Sequence, residues 1–117
     1  MKSDLSFSNN NRIKNSSDFQ RIYKDGNKIS GYYYSAFFVA GASPESRLGV
    51  SVPKRHGKAV FRNRHKRLIR EAFRHSKHLF TRPAEIVVLF KRISHQPDGY
   101  SIDLLKLFER LAEKCNS

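Results

Sequence analysis

At 117 residues the chain suits one domain with a single modest core, and its 23 Lys and Arg against 10 Asp and Glu give a net charge of +13, a balance that favours polyanionic partners. No apolar run approaches the roughly 20 residues that span a bilayer, and the N-terminus has Lys2 but not the apolar core of a secretory signal. The lone Cys115 cannot close an internal disulfide, so composition points to the cytoplasm and away from membrane or secreted classes.

Residues 1–11 are rich in Ser and Asn, lack periodicity and read as a flexible arm; Arg12 and Lys14 give it a basic end. A first helix is predicted from Asp18 to about Lys24. Ser17 suits its N-cap, Gln20 completes a capping box, and Gly26 suits a left-handed closing position. Phe19, Ile22 and Tyr23 lie along one side of it. Lys28 to Gly31 reads as a turn, an extended lead-in or an extra short strand. Tyr32 to Ala40 is an aromatic strand. Alternation puts Tyr34, Ala36 and Phe38 on one side and Tyr33, Ser35, Phe37 and Val39 on the other. Both sets are apolar enough to be buried, which leaves the facing open. Gly41 to Ser46, with Pro44, reads as a hairpin loop, and Arg47 to Val52 as the antiparallel return, with Leu48, Val50 and Val52 pointing one way.

A basic turn, Pro53 to Lys58, then leads into a helix from about Ala59. From Lys54 to Arg74 nine Lys or Arg stand against one acid, Glu71. At about 100° per residue, Phe61, His65, Leu68, Ile69, Ala72 and Phe73 form a core side. Arg62, Asn63, Lys66, Arg67, Arg70 and Arg74 form the other. A solvated face ordinarily mixes signs so that residues four apart attract. Here Arg62/Lys66, Lys66/Arg70 and Arg70/Arg74 repel, at roughly 0.2–0.5 kcal/mol each. A helix that works against itself in this way implies an anionic partner, and nucleic acid fits best. Ser76 to Pro83 is a connection. Glu85 to Phe90, a continuous apolar run, reads as a central strand, ended by Lys91 and Arg92. After a loop from His95 to Gly99, Ser101 is expected to cap a last helix with Asp103 in its first turn. Its apolar stripe is Leu104, Leu105, Phe108, Leu111, Ala112 and Cys115.

The chain offers little chemistry of its own. His75 and His78 are three apart but lack carboxylate or thiolate neighbours and read as a helix-end basic pair. His56 and His65 lie in the basic segment without the paired carboxylates or Ser-His-Asp pattern that hydrolysis would need. Lys54 to Lys58 holds one glycine, Gly57, and does not match a phosphate-binding loop. No catalytic residue, metal site or bound cofactor is assigned to the protein.

Gly49, Val52, Lys54, Gly57, Ala59, Val60, Arg62, Asn63, Lys66, Arg67, Arg70 and Glu71, in this order and spacing, resemble the signature of the bacterial ribonuclease P protein subunit, with Arg62-Asn63-Arg64 as its centre. The similarity continues through Arg12 to Asn15 and Asp18 to Gly26 and fades after Phe90. Tyr23 stands where Phe is expected, and Pro53 where Ser is common. The resemblance implies one α+β domain over residues 1–117, an αβββαβα sandwich with a central mixed sheet, similar to the second domain of a small-subunit ribosomal protein. It also implies a left-handed βαβ crossover, although about 98% of such units are right-handed.

In function it implies a partner RNA, ribonuclease P RNA, that carries catalysis with Mg²⁺. The protein binds that RNA and the 5′ leader of precursor tRNA, with no membrane and no further protein required. RNA binding is expected at Lys54, Arg55, Lys58, Arg62, Asn63, Arg64, Lys66, Arg67, Arg70 and Arg74. The leader cleft is expected at Phe19, Tyr23, Tyr34, Lys91 and Arg92, with Tyr33 standing nearly as well as Tyr34 because the strand's facing is open. Spacing alone reads the helix rings equally well as core. The alternative function is a structural rRNA-binding protein of similar fold; a self-sufficient small nuclease lacks the residues.

Overall fold

The computed structural model describes residues 12–40, 45–92 and 98–117; the expected N-terminal arm lies outside them, as do most of the two loops containing Pro44 and Pro97. The element order is α1 (Ser16–Asp25), β1 (Asn27–Ser30), β2 (Tyr34–Ala40), β3 (Arg47–Ser51), α2 (Ala59–Ser76), β4 (Ala84–Phe90) and α3 (Asp98–Asn116), with 3₁₀ turns at Lys54–His56 and Lys77–Leu79. This is the expected αβββαβα order, the short strand near Lys28 included. No helix among the described residues is long and apolar enough to cross a membrane.

The sheet is mixed, in the order β1-β2-β4-β3. β4 is central: it pairs antiparallel with β2 from Tyr34↔Phe90 to Ala40↔Ala84 and parallel with β3 from Arg47↔Glu85 to Ser51↔Leu89. The expected hairpin between β2 and β3 therefore does not form. β3 does run opposite to β2, but β4 is inserted between them. The physical reason lies in β4 itself, whose residues are buried on both faces except for half-buried Leu89. Such a strand needs neighbours on both edges and cover on both sides.

Alternate residues divide the sheet cleanly. Tyr34, Ala36 and Phe38 of β2, Leu48 of β3 and Ile86, Val88 and Phe90 of β4 join Ile69 and Phe73 of α2 and Leu104, Phe108 and Leu111 of α3 in the main core. On the opposite face Val87 joins Ile13 and Ile22 in a smaller cluster, with Phe19, Tyr23, Phe37 and Val39 packed on it. Thus α1 covers one face while α2 and α3 cover the other.

Five local expectations are corrected. α1 starts after Asn15, whose carbonyl accepts the N–H groups of Asp18 and Phe19, and no side-chain cap forms, so the Ser17–Gln20 box is not used. Gly26 is extended rather than left-handed; it is needed because a Cβ there would meet the Ile22 carbonyl and stand 2.9 Å from the Phe38 carbonyl oxygen. In α3 the helix begins at Asp98, leaving Ser101 inside it. Asp103 turns away from its own helix end and accepts the N–H groups of Tyr32 and Tyr33, both at 3.0 Å. The apolar stripe of α3 uses Leu107, while Leu105 is exposed.

Candidate nucleic-acid interface

β3 is one of the two edge strands of the sheet, and the chain ahead of α1 lies along it. Arg12 bridges Leu48 in parallel, and the Ile13 N–H donates to the Leu48 carbonyl at 2.9 Å. Ile13 enters the small core under α1. Two surfaces flank this edge, a cationic face on α2 and an aromatic cleft beside α1.

On α2, the core side is as expected: His65, Ile69, Ala72 and Phe73 are buried. Arg62, Lys66 and Arg70, each four apart, form a half-buried column, while Asn63, Arg64 and Arg67 are exposed. The column is electrostatically uncomfortable. Burial, and then the charge of Arg12, press the Arg70 guanidinium below its ordinary value. The Nε of Arg62 is buried with no hydrogen-bond partner among the described residues, although an unsatisfied buried donor costs about 1–3 kcal/mol. An anion seated on this column would offset the repulsion, and Arg62 would have to turn its guanidinium for Nε to reach it. Arg74 differs from the rest of its expected group: it donates to Glu71 at 2.7 Å and is partly neutralised there. Lys54, Arg55 and Lys58 are exposed on the turn that leads into α2. Lys58 makes no side-chain cap, so the first N–H groups of a long helix face the same cationic turn, an arrangement suited to phosphate.

Beside α1, Ser16, Phe19, Gln20 and Tyr23 face Val50 and Ser51 of β3 across an open cleft of about 330 Å³. Phe19 reaches β3 because residue 49 is glycine: a Cβ there would stand 2.8 Å from Phe19 Cζ. Tyr23 meets Phe37 edge to face at a centroid distance of 4.9 Å, with Phe19 6.4 Å away on its other side. Burial pushes the Tyr23 phenol up, and a hydrogen bond with Ser51 works against that shift. The ring is half-buried and keeps contact with solvent.

Tyr34 does not line this cleft. It lies on the opposite face of the sheet with no exposed surface, and its hydroxyl meets His65 Nδ1 at 2.9 Å. The β2 ring on the α1 side is Phe37, which packs behind Tyr23 rather than lining the cleft; the alternation of the strand sets it opposite to Tyr34 and leaves both facings open. The available signal was the apolar side of α1, which needs rings opposite it. Lys91 and Arg92 are held at the β1–β2 connection: Lys91 Nζ donates to the Gly31 carbonyl at 2.9 Å, and the Arg92 guanidinium lies 4.6 Å from the centre of the Tyr32 ring.

α1 is tied down by a buried carboxylate that sequence reading took only as the start of an apolar strand. Glu85 is 2% exposed and accepts from Arg21 of α1 and Arg47 of β3, both at 2.9 Å. Asp18 closes the group at 3.4 Å from Arg21. Among the described residues no three His, Cys, Asp or Glu come together as a metal site.

Comparison with known proteins gives the chain's relatives in sequence and in fold. A family model described as Ribonuclease P matches residues 7–115. The ribonuclease P protein component of Clostridioides difficile is 33% identical, covering 96% of this chain and 97% of that protein, and that of Thermotoga petrophila is 35% identical, covering 91% and 96%. Among solved structures, the Staphylococcus aureus RNase P protein superposes with a TM-score of 0.79 at 30% identity, covering 92% of this chain and 98% of that one. The Thermotoga maritima protein gives 0.72 at 31% identity, covering 85% and 96%.

Proposed function

The chain belongs to the ribonuclease P protein family, and from that premise we propose that it is the protein subunit of a ribonuclease P ribonucleoprotein in the cytoplasm, removing the 5′ leader of precursor tRNA together with a catalytic RNA. The observation that carries the reading is the half-buried Arg62–Lys66–Arg70 column, whose like charges stand one helical turn apart and which sets Arg70 against Arg12. A protein that stabilised itself alone would have little use for it; a phosphate backbone satisfies it. The described residues bring together cations and rings at the surface, while the Tyr34 hydroxyl that meets His65 is sealed in the core. In this reading the protein's part is binding and orientation, and Mg²⁺ held by the catalytic RNA would supply the activated water.

The two surfaces divide the work. The cations of α2 and of the turn before it neutralise phosphates of the catalytic RNA. The cleft lined by Phe19 and Tyr23 takes the single-stranded leader, whose unstacked bases present flat faces to rings. Their meeting along the β3 edge lets one protein hold both RNAs at a fixed distance.

Salt dependence tests the first half. Replacing Arg62, Lys66 and Arg70 by Ala should lower the affinity for ribonuclease P RNA. It should also reduce the slope of log K against log salt by about 0.7–0.9 for each phosphate that is no longer neutralised. An unchanged slope in a folded triple variant would remove the column from the RNA interface.

A further inference from the structure

Tyr32 is 59% exposed, and among the described residues every other Phe and Tyr side chain is at least half-buried. An exposed ring ordinarily moves freely and gains entropy by doing so. This one is braced from three sides. Asp103 of α3 holds the backbone N–H groups of Tyr32 and Tyr33. Lys91 donates its backbone N–H to the Tyr33 carbonyl and its ammonium to the Gly31 carbonyl. Gly31 is itself required, since a Cβ there would stand 2.8 Å from Asp103 Oδ2. The ring meets Tyr33 edge to face at 4.7 Å, and Tyr33 packs on the buried Tyr100 at 5.2 Å. The exposed guanidinium of Arg92 lies 4.6 Å from the Tyr32 ring centre.

We propose that Tyr32 and Arg92 form a second stacking station, separate from the α1 cleft, that binds one unpaired nucleobase of RNA. This rests on the reading that the chain acts on RNA, but it adds a site of its own. A cationic plane on a rigid aromatic ring offers a base both a π-face and an attractive charge for its flanking phosphate. Each base has a π-face, so such a station tolerates any sequence. The net charge of +13 favours a polyanionic strand over an apolar partner. The base comes either from the precursor leader or from an unpaired nucleotide of the catalytic RNA.

The test has two levels. The full-length protein alone is titrated with a short single-stranded oligoadenylate and with an abasic strand of the same length and charge. Tyr32→Ala should weaken the oligoadenylate about tenfold, the scale of removing one base–aromatic stack, and leave the abasic strand unchanged. Tyr32→Phe should bind like the original. Arg92→Lys should weaken binding severalfold while keeping the salt slope, since the charge stays and the plane goes. At the second level the reconstituted holoenzyme is assayed with leader-bearing and leaderless precursor, and its assembly from protein and RNA is measured. Loss confined to leader-bearing precursor makes the leader the source of the base, and loss in assembly makes it the catalytic RNA.

Equal losses on oligoadenylate and abasic strand would overturn the stack, as would an original-like Arg92→Lys or unchanged binding in a folded Tyr32→Ala protein. Should Tyr32→Ala fail to fold, Arg92→Lys decides, because it leaves the bracing intact. A loss on oligoadenylate with none at either holoenzyme step would overturn the station as a site of the complex. If the original protein binds oligoadenylate through Tyr32 yet does not assemble with the RNA, the functional reading fails while the station stands.

Discussion

The Tyr34 hydroxyl and His65 Nδ1 meet inside a shell made by Phe61, Phe90 and Tyr100. Tyr34→Phe removes that bond from a buried pair and should cost about 1–2 kcal/mol in a denaturant titration, while leaving discrimination for the leader unchanged. The pH profile carries a second signature. Burial, with Tyr100 and Asp103 nearby, pushes the Tyr34 phenol above its ordinary 10.0. Above that pH the unfolded chain releases the proton that the folded chain keeps. The contribution is therefore whole below pH 10 and lost as pH rises beyond it. The alkaline fall in the unfolding midpoint should be shallower in Tyr34→Phe; an identical fall would contradict the burial account. Tyr23 behaves oppositely in binding. Tyr23→Ala should stay folded and lose roughly 1–3 kcal/mol of affinity for leader-bearing precursor, with leaderless tRNA unaffected. The i, i+4 spacing of Phe19 and Tyr23 was legible in the chain. The assignment of Tyr34 was not, because a strand with apolar residues on both sides takes its facing from the elements that cover it, and those are remote in sequence.

Ile22 is the one buried residue of α1, with Phe19 and Tyr23 packed beside it, and the carboxylate of Glu85 adds a charged hold through Arg21 of α1 and Arg47 of β3. Glu85→Gln keeps the shape and removes the charge. It should destabilise the fold by roughly 1–3 kcal/mol, less than the 3–5 of a fully buried pair because both arginines reach water. Amide exchange should quicken in α1 before it does in β4, and uniform quickening would show that the group does not act on α1 in particular. At this scale the helices, the strands and the central place of β4 were readable from periodicity and from one unbroken apolar run. The neighbour of β3 was not, since adjacency in the chain suggests a hairpin and only the two-sided burial of β4 displaces it. Glu85 was hidden for a related reason: a buried acid is expected only once its two arginines, from separate elements, are seen to converge. Asp103 was read as a helix-start acid, yet its partners are backbone groups some seventy residues earlier.

As a whole the protein carries +13 on a body 36 × 30 × 27 Å across, so folded chains repel themselves until anions bind. Sulfate or phosphate should raise the melting temperature more than chloride at equal ionic strength, because bound anions stabilise only the folded state. Since sulfate also strengthens burial generally, the comparison is repeated with the Arg62/Lys66/Arg70→Ala protein, in which the excess should shrink; an undiminished excess would place the anions elsewhere. As proposed above, this chain binds and orients RNA and leaves the chemistry to an RNA partner. Reconstitution tests it most directly: precursor tRNA cleavage is followed across Mg²⁺ concentrations with protein alone, ribonuclease P RNA alone, and both. The expected result is no cleavage by the protein alone, and correct 5′ processing by the pair at Mg²⁺ too low for the RNA by itself. Cleavage by protein freed of RNA, or a pair no better than its RNA at low Mg²⁺, would contradict it.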